Sequence, residues 1–307
     1  MTGAWVAGGV RASALLRRRV GRIGVLALAG QPSLDDAIRT LADGPYAHDL
    51  RLGMSLAEAE RGVASALLWQ LRVLAGWQPP TGADVVRLLA GWFEVANVVE
   101  HIRELTGEAA APPFRLGSLA TAWSRLEPTR SLEQLRAALG GSAWGDPGAA
   151  TPAAIAVGLQ AGWARRVAGR VPEASSWATG GLALLVARER FVAGRSLTVS
   201  VSRHANALLG PRPLEAATLP AYIEWLPADT RWALAETQSP ARLWRAEAAW
   251  SNRVERDGLA MLRGSGFGRA RVVGCVVALA VDAWRVRAAL QVTARGGNSS
   301  EAGDAVA

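Results

Sequence analysis

The amino-acid sequence predicts an all-α protein, and three observations carry that expectation. Capped segments with helical spacing of leucines recur along the chain. Pro- and Gly-rich breaks separate them, at Gln78-Pro79-Pro80, Ala111-Pro112-Pro113, Asp146-Pro147-Gly148 and Gly210-Pro211-Arg212-Pro213. Strand-like alternation is confined to LTVSV (197–201), and one short strand builds no sheet.

The elements follow in order. Arg17-Arg18-Arg19, with Arg11 and Arg22 nearby, reads as a solvated helix end. SLDDAIRTLADG (33–44) starts at a Ser cap, places Asp35 and Asp36 in the first turn, where negative charge is favoured, and stops at Gly44-Pro45. SLAEAERGVASALLWQLRVLAG (55–76) opens with a capping box, Ser55 with Glu58. SLEQLRAALGG (131–141) repeats the device with Ser131 and Gln134, and Leu132, Leu135 and Leu139 have helical spacing. VVGCVVALAV (272–281) is too short to span a bilayer, which needs about 20 apolar residues. The tail after Arg295, GGNSSEAGDAVA, is small and polar, a composition that favours disorder.

GWFEVANVVEHIRELTG (91–107) reads as one helix. Val95, Val98, Val99, Ile102 and Leu105 form an apolar stripe, while Glu94, Asn97, His101 and Glu104 make a polar row on another face. Two readings are open for that row: a solvated face, or a face covered by neighbouring helices that pair its polar groups. Arg103 lies about 180° around from Glu94, so it reaches Glu100 or a neighbouring helix instead.

Composition excludes several classes. Half of the 307 residues are hydrophobic, enough for a sizeable core, so the chain is not disordered. The net charge is +8 and every cation except histidine is arginine, which suits an acidic partner such as a membrane surface, nucleic acid or an acidic protein. The single cysteine, Cys275, excludes an intrachain disulfide and sits in an apolar run, as a buried thiol would. The arginines follow the first apolar patch of the N-terminal stretch, the reverse of an export signal. The expectation is a cytoplasmic chain with no transmembrane helix.

The catalytic inventory is thin. His48, His101 and His204 are far apart in sequence and lack metal-ligand spacing. GSGFGRAR (264–271) mimics a phosphate loop, but its sixth position is Arg269 and a helix precedes it, so it reads as a helix–helix turn. No cofactor, metal or catalytic residue is assigned. Of thirteen tryptophans, Trp225, Trp232, Trp244, Trp250 and Trp284 crowd the last third, as core packing or as a protein contact surface.

The chain also repeats itself. Residues 57–77 and 83–105 form a helix, break, helix block, and residues 244–268 and 269–290 form another. Glu60 precedes Glu94 by 34 positions, and Glu247 precedes Asp282 by 35. A weaker copy, GGLALLVARERFVAGR (180–195), is read as lacking the acid.

Glu94, Asn97, Arg103 and Gly107 form an acid–x–x–Asn pattern followed by Arg and Gly, which resembles the C-type subunit of the V/A-type ATPases, called d in the eukaryotic V-ATPases. RASALLRRRVGRIGVLALAGQPSLDDAIRTLADGPYAHDL (11–50) is similar to the family's opening, with Gly44-Pro45-Tyr46 as its turn, and LAEAERGVASAL to the segment after it. VVALAVDAWRVRAALQVTARGG (276–297) resembles the terminal acid–x–x–Asn–x–Arg helix: Asp282 takes the place of the acid, Arg287 that of the arginine, and Arg285 stands where Asn is usual. The resemblance covers about residues 5–297. It implies a funnel-like array of three pseudo-repeated helical units, divided here as 1–112, 113–204 and 205–296, with a tail at 297–307. It also implies a role: a non-enzymatic rotor component, peripheral on the cytoplasmic face, capping the membrane ring of c/K subunits and receiving the D and F proteins of the central stalk. The seven motif residues would then be structural marks of each unit or interface residues.

Two rivals differ in class. A nucleic-acid-associated helical protein would fit the basic charge, but aromatic and basic residues do not interleave as a stacking platform. An α-helical enzyme of the isoprenoid-synthase type would need paired Asp-rich motifs, and Asp35-Asp36 stands alone.

Overall fold

Side-chain caps set where six of the described helices begin. Ser33, Ser55, Ser131, Thr151, Thr198 and Thr218 each hold extended backbone and accept the N–H three residues on. The computed structural model describes residues 3–296 apart from 236, 238 and 265, and the regular elements among the described residues are all helical. The expectation for the tail at 297–307 lies outside the described residues.

In order, the helices are α1 (Gly3–Arg17), α2 (Gly21–Ala29), α3 (Leu34–Ala42), α4 (Leu56–Gly76) and α5 (Pro80–Leu89). Then come α6 (Trp92–Leu105), α7 (Trp123–Leu126), α8 (Leu132–Gly140), α9 (Pro152–Arg170) and α10 (Ser175–Ala187). The last are α11 (Val199–Leu209), α12 (Pro211–Glu215), α13 (Leu219–Trp225), α14 (Leu243–Arg263) and α15 (Arg269–Ala294). The chain divides into two compact units, Met1–Val86 with Asp257–Ala307, and Arg87–Arg256. The divisions expected at 112 and 204 follow the sequence repeat and do not coincide with these boundaries.

The capping box at Ser55 and Glu58 forms as expected. At α8 only half of it does. Ser131 accepts the N–H of Gln134, but the Gln134 side chain takes the N–H of Arg130. LTVSV, the strand-like segment, is a helix start: Thr198 caps α11, and the alternating residues are its first turn. A good cap thus outweighs β-branched propensity there.

The first unit is organised around α15, which packs against α1, α2, α3 and α4. Every residue from Val272 to Leu279 is buried, so the apolar run is a core helix with no amphipathic face. Among the described residues no helix is long and apolar enough to cross a membrane. Burial pushes the Cys275 thiol up to about 12. We expect a thiol reagent at neutral pH to leave Cys275 unlabelled in the native protein and to label it fully in denaturant. Labelling of the native protein at the rate of a free thiol would contradict the packing of α15.

Two glycines let α14 approach α15. A Cβ on Gly274 would lie 2.6 Å from the carbonyl oxygen of Gly258, and one on Gly258 would lie 2.5 Å from the Val277 side chain. Packing at this separation fixes how the two helices pair.

In the second unit α9 packs on α6, α10 and α11. One core gathers Leu182, Val186, Val201, Leu209, Tyr222 and Leu234, and another gathers Leu126, Leu135, Leu139 and Ile155. Val95, Val98 and Ile102 of the predicted stripe enter the latter, with Leu105 packed against it. The tryptophans of the last third differ in burial. Trp250 donates to the Trp177 carbonyl at 2.9 Å and Trp232 to Ser176 Oγ at 3.2 Å, over the small residues Gly180 and Gly181. Trp244 and Trp284 remain 60% and 56% exposed.

Candidate functional site

The polar row of α6 is covered. Glu94 is 1% exposed and Asn97 and His101 are buried beside it, whereas Glu104 stays at the surface. Glu94 accepts the backbone N–H of Thr121 at 2.5 Å and of Ala122 at 2.6 Å, at the start of α7. The indole Nε1–H of Trp144 adds a third bond at 3.0 Å. Asn97 clamps the backbone of Phe114 in both directions, at 2.7 and 2.9 Å. The row therefore ties α6 to the irregular segment that follows it, which supplies the pairing a buried polar group requires.

His101 completes the row. Thr129 donates its one hydroxyl proton to the Leu126 carbonyl at 2.7 Å, so its Oγ1 accepts from His101 Nε2, 2.9 Å away. His101 Nδ1 faces Glu104 at 3.2 Å. His101 and Glu104 edge a cavity of about 520 Å³ that also meets Glu100, Trp123, Glu127 and Arg130.

Asp282, on α15 in the other unit, repeats the arrangement of Glu94. Its carboxylate accepts the N–H of Gly21 at 2.8 Å and of Val20 at 3.2 Å, at the start of α2, and the Tyr46 hydroxyl at 3.0 Å. Burial and the adjacent carboxylate push the Tyr46 phenol far above its ordinary range, so it stays a donor. Each acid thus meets two consecutive backbone N–H groups and one aromatic donor. Each aromatic stands thirteen residues after a Ser that caps a helix beginning Ser-Leu: Ser33 to Tyr46, and Ser131 to Trp144.

The segment at 180–195, read from the sequence as lacking the acid, does hold one: Glu189, buried in a π-helical turn (Arg188–Val192) that extends α10. Arg195 pairs with it through two bonds of 2.8 Å. Its neighbour Arg190 donates to the carbonyls of Pro213 and Ala216. The sequence reading missed it because Glu189 lies at the end of its helix and not in the middle.

The remaining expected residues serve local ends. Arg103 lies 3.7 Å from Glu100 and 3.5 Å from Glu108, at the surface. Gly107 takes φ +79° and stops α6 in a Schellman turn: its N–H meets the Glu104 carbonyl, and the Glu108 N–H meets that of Arg103 at 2.8 Å. Arg287 lies 4.0 Å from Glu60, which Gln291 also bonds, joining α15 to α4. Arg285 stands half-buried one turn after Asp282. The structure brings Glu94, Asn97 and His101 onto one buried row; Arg103 and Gly107 lie apart from it. Trp144, Thr129 and Glu189 are hydrogen-bonding residues that sequence reasoning did not single out, and Tyr46 was named only as part of a turn, although the shared Ser-to-aromatic interval was a usable signal.

A basic cluster flanks Trp144. The Arg166 guanidinium lies 4.0 Å from the Trp144 ring, and burial lowers its pKa while Glu94 opposes that shift. Burial, then Arg165 and Arg203, lower the pKa of His204. A lowered imidazole pKa means the unfolded chain binds the proton more readily, so stability is held above about pH 6.5 and lost as pH falls below it. We expect His204→Gln to flatten the pH dependence of unfolding between pH 5 and 7; an unchanged slope would remove His204 as its source.

Among the described residues no group of three or more His, Cys, Asp or Glu is placed to hold a metal ion. No protein-family model matches the chain, and no curated protein matches it.

Proposed function

We propose that this chain is a non-catalytic rotor component of a V/A-type ATPase, similar to the C-type (d-type) subunit, which seats on the membrane ring and passes torque to the central stalk. The observation that carries the reading is the duplicated carboxylate device of Glu94 and Asp282, each with two consecutive backbone N–H donors, one aromatic donor and the same Ser-to-aromatic interval. Around it the chain runs through one order three times. A short capped helix (α3, α8, α13) precedes a long helix (α4, α9, α14), then a helix that bears a buried acid (α6, α10 with its π turn, α15). That order supports three related helical units, and the funnel is the arrangement that the resemblance implies for them.

The device suits a mechanical part. A buried carboxylate that bonds two consecutive backbone N–H groups fixes the direction in which the next helix sets out. Such joints make a helical shell stiff, and stiffness is what torque transmission needs. The D and F proteins of the stalk and the c/K ring are the partners in this reading, with no cofactor and no nucleic acid.

Deletion of the chain in its own host tests it. Membranes of the deletion strain are expected to lose ATP-driven ion transport while the catalytic head retains ATP hydrolysis, and the wild-type chain should restore coupling. Unchanged transport would reject the reading. The basic-scaffold alternative predicts, in contrast, a nucleic-acid complex whose affinity falls steeply with salt.

A further inference from the structure

The first 34 residues contain five arginines and no acidic residue. α2, within that stretch, turns a face outward that its composition does not explain. Val25, Leu28 and Ala29 point into the core, yet Ile23 is 86% exposed, Leu26 is 44% exposed, and Ala27 and Gly30 lie open beside them. Arg22 stands at the head of this face. Arg17 and Arg18, just before it, are also exposed, and among the described residues none of these three arginines is in an ion pair. α1 adds a parallel feature, an exposed series Val6, Val10, Ala14, Arg17 at helical spacing.

Not all the arginines are free for this. Arg19 turns back to the Leu16 carbonyl, and Arg11 lies over the Trp77 ring. What remains is a short apolar helix face bordered by the guanidinium groups of Arg17, Arg18 and Arg22, with its first turn anchored from below by Asp282 through Val20 and Gly21. The anchor holds the face in place before any partner arrives.

We propose that the exposed face of α2, with Arg17, Arg18 and Arg22, docks on the surface of an anionic phospholipid bilayer. Aliphatic side chains of this size enter the boundary between headgroups and acyl chains, while guanidinium groups at their border meet the phosphates. A nucleic acid would use the arginines and leave Ile23 and Leu26 in water. The absence of acidic side chains from the whole stretch matches a negatively charged surface. The inference does not rest on the rotor reading, since it needs only the purified chain.

The test is co-sedimentation of the full chain with vesicles of phosphatidylcholine alone and of phosphatidylcholine with phosphatidylglycerol, at low and high salt. Binding is expected on the anionic vesicles only, and weaker at high salt. The triple variant Arg17→Gln, Arg18→Gln, Arg22→Gln should lower the partition coefficient by roughly tenfold or more. The double variant Ile23→Ser, Leu26→Ser should also lower it severalfold. All these side chains are exposed, so both variants should keep the wild-type unfolding curve. An environment-sensitive dye on Ile23→Cys should shift to the blue with anionic vesicles, and one on Trp284→Cys should not. Absence of binding to anionic vesicles would overturn the proposal. So would binding that the serine variant leaves intact, a blue shift at 284 alone, or a concentration-dependent dimer that Ile23→Ser abolishes while vesicles stay unbound.

Discussion

Asp282→Asn is expected to destabilise the unit built on α15 by about 3 kcal/mol, with Asp282→Ala costing at least as much. The amide keeps one acceptor oxygen but turns an NH₂ toward the Gly21 N–H or toward the Val20 N–H and the Tyr46 hydroxyl. At least one buried donor is then left facing another donor, and α2 loses its fixed start. Tyr46→Phe removes a single donor and should cost only about 1 kcal/mol. Glu94→Gln should act in the other unit with similar size, because Thr121, Ala122 and Trp144 all donate to that carboxylate. Denaturant unfolding followed by circular dichroism measures each. Changes below about 0.5 kcal/mol for both acids would mean that the two carboxylates do not hold the helices.

Gly274→Val is the second large effect, a loss of about 3 kcal/mol from overpacking. Its Cβ would meet the backbone oxygen of Gly258 at 2.6 Å, and a backbone atom cannot turn aside as a side chain can. Gly258→Ala should also be costly, because its Cβ would lie 2.5 Å from Cγ1 and 2.8 Å from Cβ of Val277, a β-branched side chain that cannot swing clear within a helix. Gly76→Ala is the control of opposite sign. It lies in α4 with nothing within 4 Å of its added Cβ, and alanine there should stabilise by about 0.5–1 kcal/mol through helix propensity and a less flexible unfolded chain. Equal effects at 274 and 76 in a thermal or denaturant melt would remove the close helix crossing from the account.

Helix positions were legible in the sequence because their causes are local. Ser33, Ser55 and Ser131 cap helices within three residues of themselves, and Gly107 stops α6 through bonds to its own last turn. The stripe of α6 and the buried thiol of Cys275 followed from periodicity and from an unbroken apolar run. The partners of the polar row were not legible. Glu94 finds its donors 27, 28 and 50 residues away, and those of Asp282 lie 236 to 262 residues away. Four of those six donors are backbone N–H groups, which leave no mark on residue type. LTVSV misled for a related reason: period two over five residues is a weaker signal than the threonine inside it. Glu189 was not legible as a partner because it lies in a terminal π turn, whereas Glu94 and Asp282 lie within α6 and α15.

The rotor reading joins these pieces, and affinity capture of the tagged chain from membranes of its own host tests it most directly, with mass spectrometry of the proteins recovered. The account predicts the catalytic A and B proteins together with those of the stalk and ring. Recovery of nucleic acid, or of the tagged chain alone while the intact ATPase runs through unbound, would contradict it.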